Sequence, residues 1–124
     1  RGGFEGPLQR FRIDNDIGVV TYFSLASGFL SGKYRSKEDL EGSARGMMVK
    51  KYIENGGLEI LKALEEVAAQ VDATMAETAI AWLLHRDGVT APIASATKQS
   101  QLDSLIKAAS LSLSDEQVKT LEVF

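Results

Sequence analysis

Residues 22–35, YFSLASGFLSGKYR, follow an apolar run with small residues and glycines and finish on basic side chains. Small residues let a backbone approach a ligand closely, and Lys33 and Arg45 could donate charge-assisted hydrogen bonds to a phosphate. The stretch is not a P-loop, because three residues instead of four separate the two glycines before the lysine, and Tyr34 follows it. No G-x-G-x-x-G turn supports a Rossmann dinucleotide site. Two interpretations stay open: a phosphate site at a strand end, and a solvated loop.

A second stretch, residues 92–102 (PIASATKQSQL), repeats this pattern nearer the C-terminus. An apolar strand end passes through small residues to Thr97 and Lys98 at the start of a predicted helix. Helix N-termini offer free N–H groups and a positive dipole end, so a phosphate is favourable there. Taken alone, Thr97 or Ser100 is better explained as an N-cap.

The composition favours one globular domain that binds a small molecule. The chain has 124 residues, of which 44% are hydrophobic and 25% charged. A net charge of −3 argues against a nucleic-acid or anionic-membrane surface, and no apolar stretch is long enough to span a bilayer. The absence of cysteine excludes disulfides, thiolate metal sites and a cysteine nucleophile. The start RGGFEGPLQR lacks an apolar signal core, so a cytoplasmic location is expected.

The elements that would position the two stretches alternate between helices and strands. Two strands that are far apart in the chain and joined through helices indicate a parallel βαβ crossover. A strand buried on both faces needs neighbours on both edges, so an incomplete α/β fold is expected. The predicted elements are a helix over 4–15, a buried strand over 17–26, a loop over 27–46 with one turn at 37–40, helices over 58–71 and 74–88, a second strand over 89–96, a helix over 99–109 and a terminal helix from residue 114.

Sequence patterns also predict helix caps, buried helix faces and structural roles for His85 and Trp82. Thr74 with Glu77, and Ser114 with Gln117, form capping-box patterns. His85, the only histidine, is expected at the surface or in a helix cap. Trp82 is expected in the core, and the predicted inward faces are Phe4, Leu8 and Phe11 in the first helix and Leu102, Leu105, Ile106 and Ala109 in the helix over 99–109.

Taken together, the two stretches resemble the C-terminal half of the aldo-keto reductases. The first is similar to the family's seventh strand and following loop, commonly written Y/W-S-P-L-A-x-G-x-L-T-G-K-Y, and residues 76–105 are similar to its A-x-x-A-L-A-W-x-L region and eighth strand. The resemblance covers residues 4–121 and is greatest to the branch with potassium-channel β-subunits and related bacterial reductases. It implies that residues 1–124 are a partial domain, the C-terminal portion of a (β/α)8 TIM barrel with about two βα units and a terminal helix, and that NADPH is the cofactor.

The resemblance further implies a role for eleven residues along an extended NADPH. Tyr22 would stack on the nicotinamide, and Lys33 and Arg45 would reach the phosphates. The pyrophosphate would pass along Ser24, Leu25, Ala26 and Gly28, and the adenosine phosphate end would lie near Ser95, Thr97, Lys98 and Gln101, with Lys98 and Gln101 as candidate contacts for the 2′-phosphate.

The sequence departs from the family pattern at four positions. Phe23 stands where the family usually has Ser, and Ser24 replaces the usual Pro. Ser104 and Leu105 stand where Glu and Asn usually hold the adenine. Altered adenine contacts, and cofactor binding that is weaker or differently selective between NADPH and NADH, follow as a hypothesis.

The function implied by the resemblance is reversible reduction of aldehydes or ketones to alcohols, with a small carbonyl compound as substrate. The family's catalytic Asp, Tyr, Lys and His lie on the first four barrel strands, so no residue of this chain is assigned a catalytic role, and the chain alone is expected to be inactive. Its exposed strand edges are expected to pair with the rest of the barrel or with another copy. Two alternatives stay open: a non-catalytic, cofactor-sensing subunit like a channel β-subunit, and a small α/β interaction domain.

Overall fold

The computed structural model describes residues 2–43 and 45–122, which fold into an α/β structure dominated by helices. Three helices, instead of the two expected, separate the two strands, because residues 46–54 form a further helix. The elements in chain order are α1 Pro7–Asp14, β1 Val20–Thr21, 3₁₀ turns over Ala26–Ser31 and Glu38–Leu40, α2 Gly46–Glu54, α3 Gly57–Gln70, α4 Met75–Leu84, β2 Ala91–Pro92, α5 Gln99–Ser110 and α6 Asp115–Thr120.

The two strands pair in parallel, as the crossover pattern predicts. Val20 lies opposite Ala91, and the Ile93 N–H donates to the Thr21 carbonyl at 2.7 Å. The strand predicted over 17–26 is wrong in its length and its burial: β1 has two residues, and 54% of Val20 is exposed. It ends early because the chain turns at Phe23, which has a φ of 53° and accepts the Ala26 N–H at 2.7 Å.

The core lies between α2, α3, α4 and the turn over Ala26–Ser31. The amphipathic pattern of α3 is confirmed, since it buries Leu61, Leu64 and Val67. Phe29 is almost completely buried in this core, so the turn that carries it is anchored. The ring fits because α3 begins with Gly57, where a Cβ atom would lie 2.8 Å from the Phe29 ring.

The capping signals of α4 and α6 are confirmed, whereas the N-cap expected from Thr97 or Ser100 is wrong, because Lys98 occupies that position at α5 and no side chain caps the helix. Both capping boxes form, with the side chains of Thr74 and Ser114 accepting backbone N–H groups at α4 and α6. His85 occupies the C-cap of α4, where its Nδ1 lies 2.8 Å from the Ala81 carbonyl. Trp82 is half-buried against a second, smaller core cluster.

The inward faces predicted for the two flanking helices are wrong in large part. In α1, Leu8 and Phe11 are exposed. In α5, 63% of Ile106 is exposed and Leu102 is exposed too, whereas Ala108 is the residue that the helix buries. The apolar spacing marks a face that could be covered, but no described residue covers it. No helix in residues 2–43 and 45–122 has the length and apolar character needed to cross a membrane.

Candidate functional site

A cleft of about 580 Å³ opens where both strands end at their carboxyl sides. Its volume falls in the range of about 300–1,000 Å³ that is usual for small-molecule sites. The carboxyl ends of parallel strands are where α/β folds bind ligands. The cleft is lined by Phe23, Ser24, Leu25, Ser27, Gly28, Ser31, Lys33, Arg45, Met48, Ala76, Glu77, Ile93, Ala94, Ser95, Ser100, Gln101, Ser104 and Leu105.

The first wall of the cleft is a strained turn. Ala26, Ser27 and Gly28 are consecutive and all left-handed, with φ of 49°, 60° and 92°. Residues other than glycine avoid this region, and such conformations persist only where the surroundings impose them, often at ligand sites. Here the buried Phe29 imposes it from one side, and the Gly28 N–H donates to the Leu25 carbonyl at 2.9 Å. The turn therefore presents small residues to the cleft in a fixed shape.

Ser24 holds the two strand ends together at the cleft. Its buried Oγ lies 2.9 Å from the Ile93 carbonyl and 3.2 Å from the Thr21 carbonyl, so the hydroxyl can donate to either strand. This contact gives the serine that replaces the family's proline a role that the sequence did not indicate.

Two cations, Lys33 and Arg45, line the same cleft. Both are exposed, so an anionic ligand could reach them. The Lys33 side chain runs beside Gly28, where an added Cβ would lie 3.4 Å from the lysine Cε. Because Gly28 lacks that atom and has a left-handed φ, the backbone leaves room for a ligand next to the ammonium group. These features fit the phosphates of a dinucleotide.

The opposite wall carries a buried carboxylate, Glu77 in the first turn of α4. It accepts the Thr74 N–H at 2.9 Å and the Ser104 hydroxyl at 2.7 Å, and Lys107 Nζ lies 3.3 Å away. Burial alone would raise the pKa of Glu77, but these donors together lower it below its ordinary value. The carboxylate therefore joins α4 to α5 beside the cleft.

The start of α5 carries the residues that the resemblance would place at the adenosine end of the cofactor. The Thr97 N–H donates to Gln101 Oε1 at 2.8 Å, and the Thr97 hydroxyl lies 3.2 Å from the same oxygen. Lys98 occupies the N-cap position and is exposed. Gln101 thus lines the cleft with its side-chain carbonyl already engaged by Thr97.

The structure gathers most, but not all, of the sequence-predicted residues around this cleft. Tyr22 lies at the end of β1 with 76% of its surface exposed, and its ring centroid is 5.1 Å from that of Phe23. Ala26, Thr97 and Lys98 are likewise absent from the lining. The predicted residues that line the cleft are Ser24, Leu25, Gly28, Lys33, Arg45, Ser95 and Gln101.

Sequence reasoning did not place Glu77 or Ala76 at a site. The signal for Glu77 was its capping box, which fixes it at a helix start without showing that α5 packs beside it. Met48 reaches the cleft because α2 begins at Gly46, whose N–H donates to the Ser43 carbonyl at 3.0 Å.

The comparisons with known proteins agree on one family. The family model described as "Aldo/keto reductase family" matches residues 7–124. The chain is 32% identical over 101 residues to L-glyceraldehyde 3-phosphate reductase of Escherichia coli K12, covering 77% of this chain and 29% of that protein. It is 32% identical over 111 residues to aldo-keto reductase yakc [NADP(+)] of Schizosaccharomyces pombe, covering 87% and 33%.

A third relative is named as a channel subunit instead of a reductase. The chain is 32% identical over 100 residues to a probable voltage-gated potassium channel subunit beta of Arabidopsis thaliana, covering 77% of this chain and 30% of that protein. The chain spans about a third of the length of these curated relatives, 29% of the first, 33% of the second and 30% of the third.

Proposed function

The chain belongs to the aldo/keto reductase family, and we propose that it forms the NADPH-binding portion of an enzyme that reversibly reduces aldehydes or ketones to alcohols. In this proposal β1 and β2 are the seventh and eighth strands of a (β/α)8 barrel. The parallel pairing of β1 with β2 supports this assignment. The names of two relatives support the reaction class, since both are reductases and one carries NADP(+) in its name.

The observation that carries the proposal is the cleft at the strand ends, with Lys33 and Arg45 in its lining beside a turn of small residues. The two cations hold the phosphates by charge-assisted hydrogen bonds, and Gly28 gives the backbone room to approach them. Ser95 and Gln101 lie at the adenosine end, and Tyr22 provides an exposed ring for the nicotinamide. When bound, NADPH supplies the hydride for the reduction.

No residue of this chain is given the proton-donor role. In this proposal Lys33 binds the phosphates, and His85 is the C-cap residue of α4. In the proposed enzyme, the catalytic wall comes from the remainder of the barrel, which also covers the exposed edges of β1 and β2, and the substrate is a small carbonyl compound. We place this enzyme in the cytoplasm.

The test is a fluorescence titration of the complete gene product with NADPH and with NADH. We expect saturable binding with a preference for NADPH, and we expect Lys33→Met or Arg45→Met to weaken NADPH binding about tenfold each. The matched control is Lys62→Met, because Lys62 is an exposed lysine of α3 outside the cleft lining and its loss should leave the affinity unchanged. Absence of saturable NADPH binding contradicts the proposal, and equal affinity for NADPH and NADH contradicts the roles of Thr97 and Lys98.

A cofactor-sensing regulatory subunit is the second candidate, because one relative is named as a channel subunit. Both candidates bind NADPH, so turnover separates them. Steady oxidation of NADPH in the presence of small aldehydes supports the reductase, whereas tight binding without turnover supports the regulatory subunit. A monomer without any nucleotide affinity would instead favour the small interaction domain.

A further inference from the structure

Tyr34 is a buried residue that contacts Lys33 and also Ser43, which lies two positions before Arg45. Its ring belongs to the main core cluster and only 8% of the residue is exposed, although its neighbours Lys33 and Arg35 are exposed. The proposed function does not use this buried tyrosine directly. Its surroundings show which groups it acts on.

On one side, the Tyr34 ring supports the Lys33 ammonium. Lys33 Nζ lies 4.7 Å from the ring centroid, within the range of a cation–π contact. A Cβ atom at Gly28 would lie 3.6 Å from Lys33 Nζ and 3.9 Å from Tyr34 Cε2. The lysine therefore runs between the strained turn and the ring, which limits the directions that its flexible stem can take.

On the other side, the Tyr34 hydroxyl reaches the segment that carries Arg45. Tyr34 Oη and Ser43 Oγ are 3.0 Å apart, and the Arg45 N–H donates to the same Ser43 oxygen at 3.3 Å. The Arg45 carbonyl in turn accepts the N–H groups of Met48 and Val49, each at 3.0 Å, at the start of α2. A continuous path of contacts thus joins Lys33, Tyr34, Ser43 and Arg45.

We propose that Tyr34 is a positioning residue that holds Lys33 and Arg45 as one unit, so that both cations act on the same pyrophosphate group. The inference rests on the proposed function, because it assigns that group to the cleft. A free lysine side chain loses rotamer freedom when it binds an anion, and the Tyr34 ring reduces this loss for Lys33 by restricting it beforehand. The hydrogen bonds through Ser43 hold the backbone from which the Arg45 side chain extends. Tyr34 is not among the residues that line the cleft, so in this proposal it acts through Lys33 and Ser43.

The pKa of Tyr34 is consistent with this geometry. It is lowered from its ordinary value mainly by the hydrogen bond with Ser43 and next by the Lys33 ammonium. Burial opposes the shift, and the charge of Arg45 adds a smaller lowering effect. The direction of the shift therefore agrees with a phenol that has Ser43 and the Lys33 ammonium as its neighbours.

The first experiment is a double-mutant cycle on the complete gene product, with NADPH affinity as the readout. Tyr34→Phe keeps the ring under Lys33 and removes the hydroxyl, and Ser43→Ala removes its partner. We expect Tyr34→Phe to weaken binding about three- to tenfold and Ser43→Ala at least as much, because Ser43 also accepts the Arg45 N–H. The double variant should bind no more weakly than Ser43→Ala alone. Wild-type affinity in the single variants, or effects that multiply in the double variant, overturns the proposal.

The second experiment separates support of Lys33 from a general role in folding. Tyr34→Leu removes the ring as well as the hydroxyl, so it should bind NADPH more weakly than Tyr34→Phe. In a Lys33→Met background the two Tyr34 variants should bind equally, because no ammonium group is left to support. A tyrosine that only stabilises the fold would instead make the leucine variant weaker in both backgrounds. If the leucine variant does not fold, the cycle with Ser43 decides.

The chain offers a matched control in its second Lys–Tyr pair. Lys51 Nζ lies 5.1 Å from the ring centroid of Tyr52, and neither residue lines the cleft. Tyr52→Phe should therefore leave NADPH affinity unchanged, and a loss equal to that of Tyr34→Phe would contradict the inference.

Inorganic pyrophosphate, used as a second probe, separates the two proposals. A protein that binds pyrophosphate but does not bind NADPH contradicts the proposed function. The same variants then test the role of Tyr34 with pyrophosphate as the ligand. Binding of NADPH with no effect of the Tyr34 and Ser43 variants contradicts only the role of Tyr34. A protein that binds neither probe contradicts both proposals.

Discussion

Neutralising Glu77 should lower stability by an amount that depends on pH. Only 5% of Glu77 is exposed, and its two oxygens bind the Thr74 N–H, the Ser104 hydroxyl and the Lys107 ammonium. Glu77→Ala removes every acceptor at once and leaves a helix-start N–H and a hydroxyl without their partner. Loss of the cap together with the charged hydrogen bonds should cost about 2–4 kcal/mol.

Glu77→Gln isolates the charge from the hydrogen bonds. The amide oxygen can still accept the Thr74 N–H, and the amide nitrogen can donate to the Ser104 oxygen. What is lost is the interaction of the negative charge with its donors and with Lys107, whose side chain is 51% exposed and therefore well screened. We expect this variant to be about 1 kcal/mol less stable than the wild type at pH 7.

The sign of the pH dependence follows from the direction of the pKa shift. The pKa of Glu77 is lowered in the folded state from an ordinary value of 4.5. Stabilisation by the ionised carboxylate is therefore fully present above about pH 4.5, and it is lost as the pH falls through the folded-state pKa. The difference in the free energy of unfolding between wild type and Glu77→Gln should accordingly be constant near neutral pH and become smaller in acid.

The assay is urea unfolding of the complete gene product, followed by circular dichroism between pH 7 and about pH 3.5. Glu66→Gln is the matched control, since Glu66 is an exposed glutamate of α3, and its gap from wild type should stay close to zero. If the difference in unfolding free energy between wild type and Glu77→Gln stays the same across this pH range, the lowered pKa of Glu77 is refuted. A Glu77→Ala variant as stable as wild type refutes the role of the carboxylate in joining α4 to α5.

Two further predictions concern packing and charge in the same protein, both measured by urea unfolding. Gly57→Ala should cost about 1–3 kcal/mol, because the new Cβ would lie 2.5 Å from the Tyr52 carbonyl oxygen and 2.8 Å from the Phe29 ring, whereas Gly3→Ala meets no atom within 4 Å and should cost less. Equal losses would contradict the role of these close contacts at Gly57. Arg86→Met should cost about 1–2 kcal/mol, because the side chain is only 20% exposed and pairs with two glutamates. Arg35→Met, which removes an exposed ion pair, should change stability less, and the reverse order would contradict the argument from burial.

Local signals in the sequence predicted the helices well, because their causes lie within a few residues of each other. The Thr74 capping box forms from a side chain and an N–H three positions apart, and the apolar spacing of α3 buries Leu61 and Leu64 as expected. The strand ends were harder to predict. The left-handed conformations of Ala26 and Ser27 have no signal in their residue types, since they are imposed by the burial of the adjacent turn.

The candidate site was predictable where a residue's position along the chain decides its place, and less so where packing between distant elements decides it. Lys33 follows the strand end directly, and the structure brings it to the cleft. Glu77 and Ser104 meet because α4 packs against α5, at a separation of 27 residues along the chain. A capping pattern cannot encode that contact, so the carboxylate beside the cleft was missed.

The exposed apolar residues connect the fold to the proposed function. The spacing of Leu8 and Phe11 in α1, and of Leu102 and Ile106 in α5, is that of buried helix faces, yet the described residues leave them exposed. Val20 in β1 is exposed as well. Monomeric proteins seldom expose this many large apolar side chains, and a parallel strand is stable when neighbours cover both of its faces. In the proposed enzyme, further barrel strands and helices would cover these faces, and they would also supply the wall opposite Lys33 and Arg45. Such neighbours would explain the exposed helix faces and the two-residue strands together, so the exposure of the described residues supports the proposed function.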